Sequence, residues 1–300
     1  THGKTTTTAM LALILIKAGL DPTVVIGTKL KEFNNTNFRM GKSKYLLIEA
    51  DEHFASFLNY WPKMIAITNI EADHLDFYKN LKNIKTAFEK FVGHLPEDGI
   101  LITGSSINKK ELLKVKKILK VPGDHNAYDA LIALNTARAL KIPDKISLVA
   151  LAEYKGAWRR FEILKTKPFI LISDYGHNPQ KALATLKAAR EKYPKKKIWC
   201  VYQPHQYERT YFLFNDFVRA FRQAPVDRLI ITDIFDVAGR ESAKIRQKVD
   251  SQKLVKAVNQ KNVSYLPKDR IVPYLKKEVR NGEVVIVMGA GDIYLIDKKL

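Results

Sequence analysis

The sequence predicts an α/β fold with two domains, each built on a mostly parallel β-sheet. Short apolar, β-rich runs alternate with helical runs, and the alternation occurs in two series along the 300 residues. Strands that alternate with helices form parallel sheets covered by helices on both faces. In addition, Gly3-Lys4-Thr5 stands directly before the first helical run, as in P-loop domains. The prediction is therefore a P-loop-type domain followed by a Rossmann-like domain.

The first series begins with a helix at 5–18 that contains the apolar run 9–16. The strands predicted after it are 23–26, 45–48, 64–68 and 100–103. The other helices predicted in this series are 84–95, 109–119 and 126–140. Residues 143–155 are interpreted as a connecting region, and the domain boundary is expected near 154–160. The predicted domains are thus 1–157 and 158–300.

The second series repeats the alternation with five strands and four helices. The predicted strands are 169–172, 198–202, 229–232, 263–266 and 284–287. The predicted helices are 179–193, 210–223, 251–258 and 270–279. Pro179 stands at the first position of its helix, where the missing N–H has no cost.

Composition indicates a globular protein of a reducing compartment. The single cysteine, Cys200, excludes an internal disulfide, fits the cytoplasm and is expected to be a buried core residue. The run 9–16 is too short to span a bilayer. The net charge of +20 indicates either nucleic-acid binding or a lysine-rich solvated surface that handles small polyanions. The second interpretation is favoured because the lysines are spread along the chain and no RNA-binding module or zinc pattern accompanies them.

The opening residues predict a binding site for the phosphates of a nucleotide. They read Thr1-His2-Gly3-Lys4-Thr5-Thr6, and a helix N-terminus with free N–H groups attracts anions. Lys4 supplies a positive charge for the β- and γ-phosphates, and the Thr5 hydroxyl can hold Mg²⁺. Because neither the leading glycine of such a loop nor a strand precedes Thr1, we expect the chain to be a piece of a longer protein.

Polar motifs follow five of the predicted strands. Ligands of open α/β sheets bind beyond the carboxyl ends of the strands, so these motifs are the candidate functional residues. The motifs begin at Glu49, Asn69, Asp174, Gln203 and Gly289.

Together these motifs resemble the Mur ligase family, the ATP-dependent amide-forming enzymes of peptidoglycan synthesis. The resemblance runs from residue 1 to 293, and its segments include THGKTTTTAM, EADE, TNIEADHLD, PGDHNAYDAL, RRFE, DYGHNP, YQPHQYERT and MGAGDI. The pairing of DYGHNP with YQPHQYERT is similar to the branch that joins L-alanine to UDP-N-acetylmuramate. The family has three domains, and this chain resembles the central and C-terminal ones, so the resemblance implies a missing UDP-binding domain and an inactive fragment.

The resemblance implies ATP and Mg²⁺ as cofactors and an acyl phosphate as the intermediate. Phosphoryl transfer depends on positioning and charge neutralisation. By resemblance, residues 1–6 bind the phosphates of ATP, with Lys4 also catalytic, and the metal residues are Thr5, Glu49 and His74. A carboxylate suits Mg²⁺. The alternative for His74 is a group that only orients a metal ligand.

The resemblance also implies roles for three residues around the domain boundary. Asn126 matches an asparagine that contacts adenine, and a helix N-cap at this point is the alternative, above all for Asp124. Arg160 matches an arginine that meets an ATP phosphate when the domains close, whereas the adjacent Arg159 could be a surface residue. Asp174 matches an acid that closes on the nucleotide.

His177, His205 and Arg209 match the region where the amino acid meets the acyl phosphate. The guanidinium of Arg209 suits a carboxylate. For His205, a helix-start or packing role is the alternative. The chain departs from the family pattern at His53-Phe54, at Gln206 and in a short 101–122 segment.

Other functions remain open at this point. A ligase that attaches a recycled tripeptide to UDP-N-acetylmuramate shares the same ATP-site residues. A basic P-loop NTPase acting on nucleic acid and a non-catalytic binding fragment are further alternatives, and folylpolyglutamate synthetases fit the motifs less well.

Overall fold

The chain forms two compact units, Thr1–Ala157 and Trp158–Leu300. The computed structural model describes residues 1–71, 75–104, 107–237 and 243–300. The predicted α/β fold class is confirmed, because both units contain parallel strand pairs with helices packed against them. Within these ranges we find no helix of the length and apolarity that crossing a membrane requires.

The first unit contains six α-helices and five strands among its described residues. The helices are α1 (Lys4–Lys17), α2 (Leu75–Tyr78), α3 (Leu81–Val92), α4 (Lys109–Ile118), α5 (Asp124–Ala139) and α6 (Asp144–Glu153). The strands are β1 (Thr23–Leu30), β2 (Thr36–Arg39), β3 (Leu46–Ile48), β4 (Met64–Ile67) and β5 (Ile100–Thr103). Strand β1 pairs in parallel with β3, and β4 pairs in parallel with β5.

Strand β2 is antiparallel to β1 and was absent from the sequence prediction. Asn34 and Asn35, just before it, both adopt positive φ, which asparagine tolerates better than most residues. The chain can therefore turn back on itself and pair β2 with the edge of β1.

Helices α1 and α5 form the centre of the first core. Met10, Ile14 and Leu131 are among their fully buried residues. Both helices are buried around most of their circumference, which is typical of helices enclosed by other elements. The N-terminus of α1 is thus anchored by a buried helix body.

The segment predicted as a connection at 143–155 is instead helix α6, so that prediction was wrong. Ser147, Ala150 and Leu151 are buried at helical spacing, and Tyr154 continues the same face. Apolar and small residues spaced three and four apart after Pro143 are the sequence signal for this helix.

The second unit contains a six-stranded sheet. The strands are β6 (Glu162–Lys165), β7 (Ile170–Asp174), β8 (Ile198–Tyr202), β9 (Arg228–Ile231), β10 (Val263–Tyr265) and β11 (Val284–Met288). The helices are α7 (Pro179–Lys192), α8 (Tyr207–Phe212), α9 (Phe214–Arg222), α10 (Ala243–Arg246), α11 (Ser251–Val258) and α12 (Lys268–Glu278). The sheet order is β10-β9-β8-β11-β7-β6, with only β6 antiparallel to its neighbour.

Strands β7, β8 and β11 are buried along their whole length. One apolar cluster fills each face of this sheet, as expected for a parallel sheet covered on both sides. Cys200 is fully buried in β8, which confirms its predicted core position, and burial raises the pKa of its thiol. Helix α7 starts as predicted, with Asn178 accepting from the Lys181 N–H at 2.8 Å and Pro179 in the first turn.

The single helix predicted at 210–223 is divided into α8 and α9. Leu213 separates them with φ −101° and ψ 18°, which is outside the helical range. The first of these helices begins earlier than predicted, at Tyr207, and brings Arg209 close to His205.

We expect Leu131→Ala to lower the free energy of unfolding by about 2–5 kcal/mol, because it leaves a cavity in the α1–α5 core. Urea unfolding followed by circular dichroism measures the change. Leu113→Ala on α4 is the matched control, since Leu113 is 57% exposed and a surface change costs about 0.5 kcal/mol or less. Equal losses in the two variants would contradict the central position of α5.

Candidate functional site

The predicted phosphate loop forms the start of α1. Gly3 is the N-cap residue with φ 81°, and no side chain caps the helix. The hydrogen bonding of the helix itself begins with the Thr7 N–H donating to the Gly3 carbonyl at 2.9 Å, so the N–H groups of Lys4, Thr5 and Thr6 lie outside that ladder. Backbone donors and the positive end of the helix dipole therefore coincide here, which is the physical requirement for binding phosphate.

The residues before Gly3 are bound to the segment after β4. The His2 N–H donates to Asn69 Oδ1 at 2.9 Å, and the His2 carbonyl accepts from Thr68 Oγ1 at 2.6 Å. The Glu71 N–H donates to Thr1 Oγ1 at 3.0 Å. These bonds fix the backbone of the loop against the carboxyl end of β4.

Lys4 is held by two carboxylates of the segment after β3. Its Nζ forms an ion pair with Glu52 and lies 3.3 Å from Asp51 Oδ1. Burial alone would lower the pKa of this ammonium, but the neighbouring carboxylates, that of Glu52 first, raise it above its usual value. A phosphate that binds Lys4 must therefore compete with Glu52, whose buried Oε1 has no hydrogen-bond partner among the described residues.

Glu49 and Thr5, two of the predicted metal residues, are in direct contact, and the metal role of Glu49 stays a prediction. Thr5 Oγ1 donates to Glu49 Oε1 at 2.6 Å, and the Gly27 N–H donates to Oε2 at 2.6 Å. Two hard oxygen donors thus stand side by side at the start of α1. Mg²⁺ usually takes one or two protein ligands and completes its shell with phosphate and water, so these residues fit the ion.

His74, the third predicted metal residue, lies outside the described residues. Among those that the structure does describe, no group of three or more His, Cys, Asp or Glu side chains is arranged to hold a metal. The magnesium assignment therefore depends on the pair formed by Thr5 and Glu49.

Asn126 lies in the first turn of α5 and is mostly buried. Its Nδ2 donates to the Pro122 carbonyl at 2.6 Å. The N-cap alternative was wrong, since Gly123 is the N-cap and Asp124 instead pairs with Lys116 at 2.6 Å. The contact of Asn126 with adenine stays a prediction.

In the second unit, Asp174 is the last residue of β7, and its carboxylate accepts hydrogen bonds from other residues of that unit. Its Oδ2 accepts from the Phe161 N–H at 2.8 Å, and its Oδ1 accepts from the Gly176 N–H at 2.8 Å and from Thr185 Oγ1 at 3.1 Å. The carboxylate thereby joins the loop after β7 to the segment before β6. In the structure the side chain therefore fixes these two segments relative to each other. The contact of Asp174 with a nucleotide stays a prediction.

Arg159 is buried, so its surface alternative was wrong. Its guanidinium donates to the Gly289 carbonyl, at the turn after β11. The rings of Trp158, Tyr175 and Tyr294 surround it, with centroids 5.4, 5.1 and 4.4 Å away. These cation–π contacts are strongest when water is excluded, as here, and they hold the turn in place.

Tyr175 connects Arg159 to the predicted catalytic residues. The Arg160 guanidinium lies 5.0 Å from the same ring, and the His177 ring meets it edge-on at 5.2 Å. Arg160 and His177 are thus positioned by one aromatic side chain. The contact of Arg160 with an ATP phosphate stays a prediction.

His177, His205 and Arg209 lie together, as the sequence predicted for this group. The two imidazole centroids are 6.4 Å apart, and Arg209 Nη1 is 3.1 Å from His205 Nδ1. Burial, and then the charge of Arg209, lowers the pKa of His205 to about 4, so this ring is neutral at pH 7. His205 also stacks on Phe235 at 5.4 Å, so it has a packing contact as well as its polar one.

The sequence analysis assigned no functional role to three residues that lie beside the candidate residues of their own unit. Glu52, Arg159 and Tyr175 all lie inside motifs that had been recognised, namely EADE, RRFE and DYGHNP. The acid-rich run that contains Glu52, the double arginine and the tyrosine beside Asp174 are the sequence signals that point to these positions. What the sequence could not provide was the contact that each one makes.

The sequence matches two family models in order. Residues 1–118 match the Mur ligase middle domain, and residues 159–291 match the Mur ligase glutamate ligase domain. UDP-N-acetylmuramate–L-alanine ligases are similar over almost the whole chain. That of Clostridium novyi is 36% identical over 99% of this chain and 72% of its own length, and that of Clostridium acetobutylicum is 38% identical over 99% and 73%.

Solved structures agree with this similarity. The UDP-N-acetylmuramate-alanine ligase of Thermotoga maritima has a TM-score of 0.77 and 26% identity, and the match covers 100% of this chain and 72% of that one. A murein peptide ligase from Psychrobacter arcticus has a TM-score of 0.67 at 22% identity, covering 100% and 75%, which shows the shared fold.

Gly3→Ala should abolish nucleotide binding. A Cβ at residue 3 would lie 2.1 Å from Asp129 Oδ1, and the positive φ of 81° adds strain. Gly19→Ala is the matched control, because its φ is 75° but nothing lies within 4 Å of the added Cβ. The control should cost about 1–2 kcal/mol of unfolding free energy and leave ADP affinity unchanged. Calorimetric titration with ADP measures the affinity of each variant. Equal affinity in the two variants would contradict the assignment of residues 1–6 as the phosphate loop.

Proposed function

The chain belongs to the Mur ligase family of ATP-dependent ligases, and on this premise we propose that it joins L-alanine to UDP-N-acetylmuramate. The observation that supports this most directly is the start of α1, where Lys4, Thr5 and Glu49 stand beside the helix N-terminus. A carboxylate is a poor acyl donor until it is phosphorylated. The residues at this position are suited to bind the phosphates of ATP and the metal ion that accompanies them.

The first unit is proposed to bind the nucleotide. The N–H groups of residues 4–6 receive the phosphates, and Lys4 moves from Glu52 to the β- and γ-phosphate oxygens. Thr5 and Glu49 would hold Mg²⁺, which neutralises charge on the phosphate oxygens when it is bound. Before the nucleotide binds, the buried carboxylate of Glu52 holds the ammonium of Lys4 beside the loop.

The second unit is proposed to bind the amino acid. Arg209 lies next to two neutral imidazoles, and its guanidinium matches the carboxylate of L-alanine. The amine of the amino acid attacks the acyl phosphate, and phosphate leaves. We place this reaction in the cytoplasm, where ATP is available, and the lone buried Cys200 is consistent with that.

The substrates follow from the named relatives and from the motif pair. The relatives that match almost the whole chain are named for L-alanine, whereas the murein peptide ligase is a structural match at lower identity. The nucleic-acid alternative draws support only from the net charge of +20.

The test is phosphate release and amide product from the full-length gene product with ATP, UDP-N-acetylmuramate and L-alanine. Glycine, L-serine and the tripeptide are compared as acceptors. We expect L-alanine to give the highest kcat/KM and Lys4→Met to lower it by roughly 10²–10³-fold, as for other charge-stabilising groups. Product with the tripeptide alone, or ATP turnover that requires DNA or RNA, would overturn the proposal.

Magnesium dependence tests the metal pair separately. Glu49→Gln removes the charge next to Thr5, so the Mg²⁺ concentration for half-maximal ADP binding should rise by about 10–100-fold. The control is Glu89→Gln on the exposed side of α3, which should leave that concentration unchanged. An unchanged value in Glu49→Gln, with the protein folded by circular dichroism, would refute the metal assignment.

A further inference from the structure

The two neighbouring imidazoles of the second unit carry their protons on different nitrogens. His177 follows β7, and His205 precedes α8. Each ring is fixed by one hydrogen bond through Nδ1, but the two partners have opposite character. The state of each ring can therefore be assigned from the chemistry of its partner.

His177 has its proton on Nδ1. This nitrogen lies 3.1 Å from the Tyr175 carbonyl oxygen, which can only accept a hydrogen bond, so Nδ1 must donate. A neutral imidazole has a single N–H proton. The Nε2 atom of His177 therefore carries a lone pair.

His205 has the opposite arrangement. Its Nδ1 lies 3.1 Å from Arg209 Nη1, and a guanidinium can only donate, so this Nδ1 accepts. Its single proton is then on Nε2. The lone pair of His205 Nδ1 is already used by Arg209, and only the Nε2–H is available to a ligand. His205 can therefore donate a hydrogen bond to an anionic oxygen but cannot accept a proton from an ammonium group.

Both rings stay neutral because of what surrounds them. Burial lowers the pKa of His177 well below its usual value, and the cations of Lys181 on α7, Arg209 on α8 and Arg160 add to this effect. For His205 the cations are Arg209 and Arg159. Tyr175, at 5.2 Å from His177, and Phe235, at 5.4 Å from His205, are the rings packed against them.

We propose that His177 Nε2 is the base that removes a proton from the ammonium group of the incoming amino acid. The Tyr175 carbonyl determines this role, because its hydrogen bond keeps the proton of the ring on Nδ1 and leaves the lone pair on Nε2. The inference rests on the proposed function, since it needs an amino acid as the acceptor. Arg209 holds the carboxylate, and the Nε2–H of His205 is available to the same anion.

The ammonium gives one proton to His177 Nε2 and becomes an amine with a lone pair. That lone pair forms the C–N bond, and the bond between the acyl carbon and the phosphate oxygen breaks with its electron pair on the phosphate. The nitrogen loses its second proton to the leaving phosphate, and His177 returns its proton to water.

The test separates proton removal from acyl-phosphate formation. His177→Asn keeps an N–H that can donate to the Tyr175 carbonyl but has no basic nitrogen. With L-alanine at pH 7, the variant should lose about 10²–10⁴-fold in kcat. Hydroxylamine is already an uncharged amine at this pH, so hydroxamate formation from ATP and UDP-N-acetylmuramate should stay near the wild-type rate.

The pH dependence gives a second readout. Without the base, the variant depends on free alanine amine, so its rate should rise about tenfold per pH unit while alanine is mostly protonated. The wild-type rate should be nearly flat over that range, because His177 is neutral there. A flat profile for the variant would overturn the proposal.

His94→Asn is the matched control. His94 Nδ1 also faces a carbonyl, that of Tyr60 at 2.8 Å, but the residue belongs to the first unit and has no proposed role. It should leave both reactions unchanged. If His177→Asn lowers hydroxamate and alanine products equally, or lowers neither, the base assignment is wrong. If the wild-type protein forms no hydroxamate at all, the proposed function itself fails.

Discussion

The positions of the candidate catalytic side chains depend on carboxylates held at the carboxyl ends of parallel strands. Glu49, after β3, accepts from Thr5 and Gly27, which fixes the start of α1 against β1. Asp174, at the end of β7, accepts from Phe161, Gly176 and Thr185. A partly or fully buried carboxylate without such donors would be costly, so the donors and the loop geometry are fixed together. Each unit thus places one hydrogen-bonded carboxylate within its candidate site.

Much of this arrangement could be predicted because it follows from local rules. The rule that ligands gather beyond strand ends pointed to the segments that begin at Glu49 and Asp174, and Gly3-Lys4-Thr5 identified the start of α1. Buried strands such as β8 were predicted at their observed bounds, since a continuous apolar run permits little else. Cys200 was placed correctly for the same reason.

The remainder could not be predicted because it depends on contacts between distant residues. Arg159 is polar and next to another arginine, yet its charge is enclosed by the adjacent Trp158 ring and by two rings from distant segments, Tyr175 and Tyr294. The break at Leu213 is a change of backbone angles within an otherwise helical sequence. The proton positions of His177 and His205 depend on a carbonyl and a guanidinium, and no sequence pattern encodes which ring nitrogen meets which partner.

The cations around His177 have two opposing effects on the proposed proton transfer. Lys181, Arg209 and Arg160 lower the pKa of the imidazole, which makes it a weaker base. The same positive field acts on a bound ammonium and lowers the pKa of that group too, because a like charge disfavours the charged form. The driving force for proton transfer depends on the difference between the two pKa values rather than on either one. A site that collects cations to bind a carboxylate and a phosphate can therefore still use a neutral histidine as its base, provided that the lone pair is directed by a bond such as the one to Tyr175.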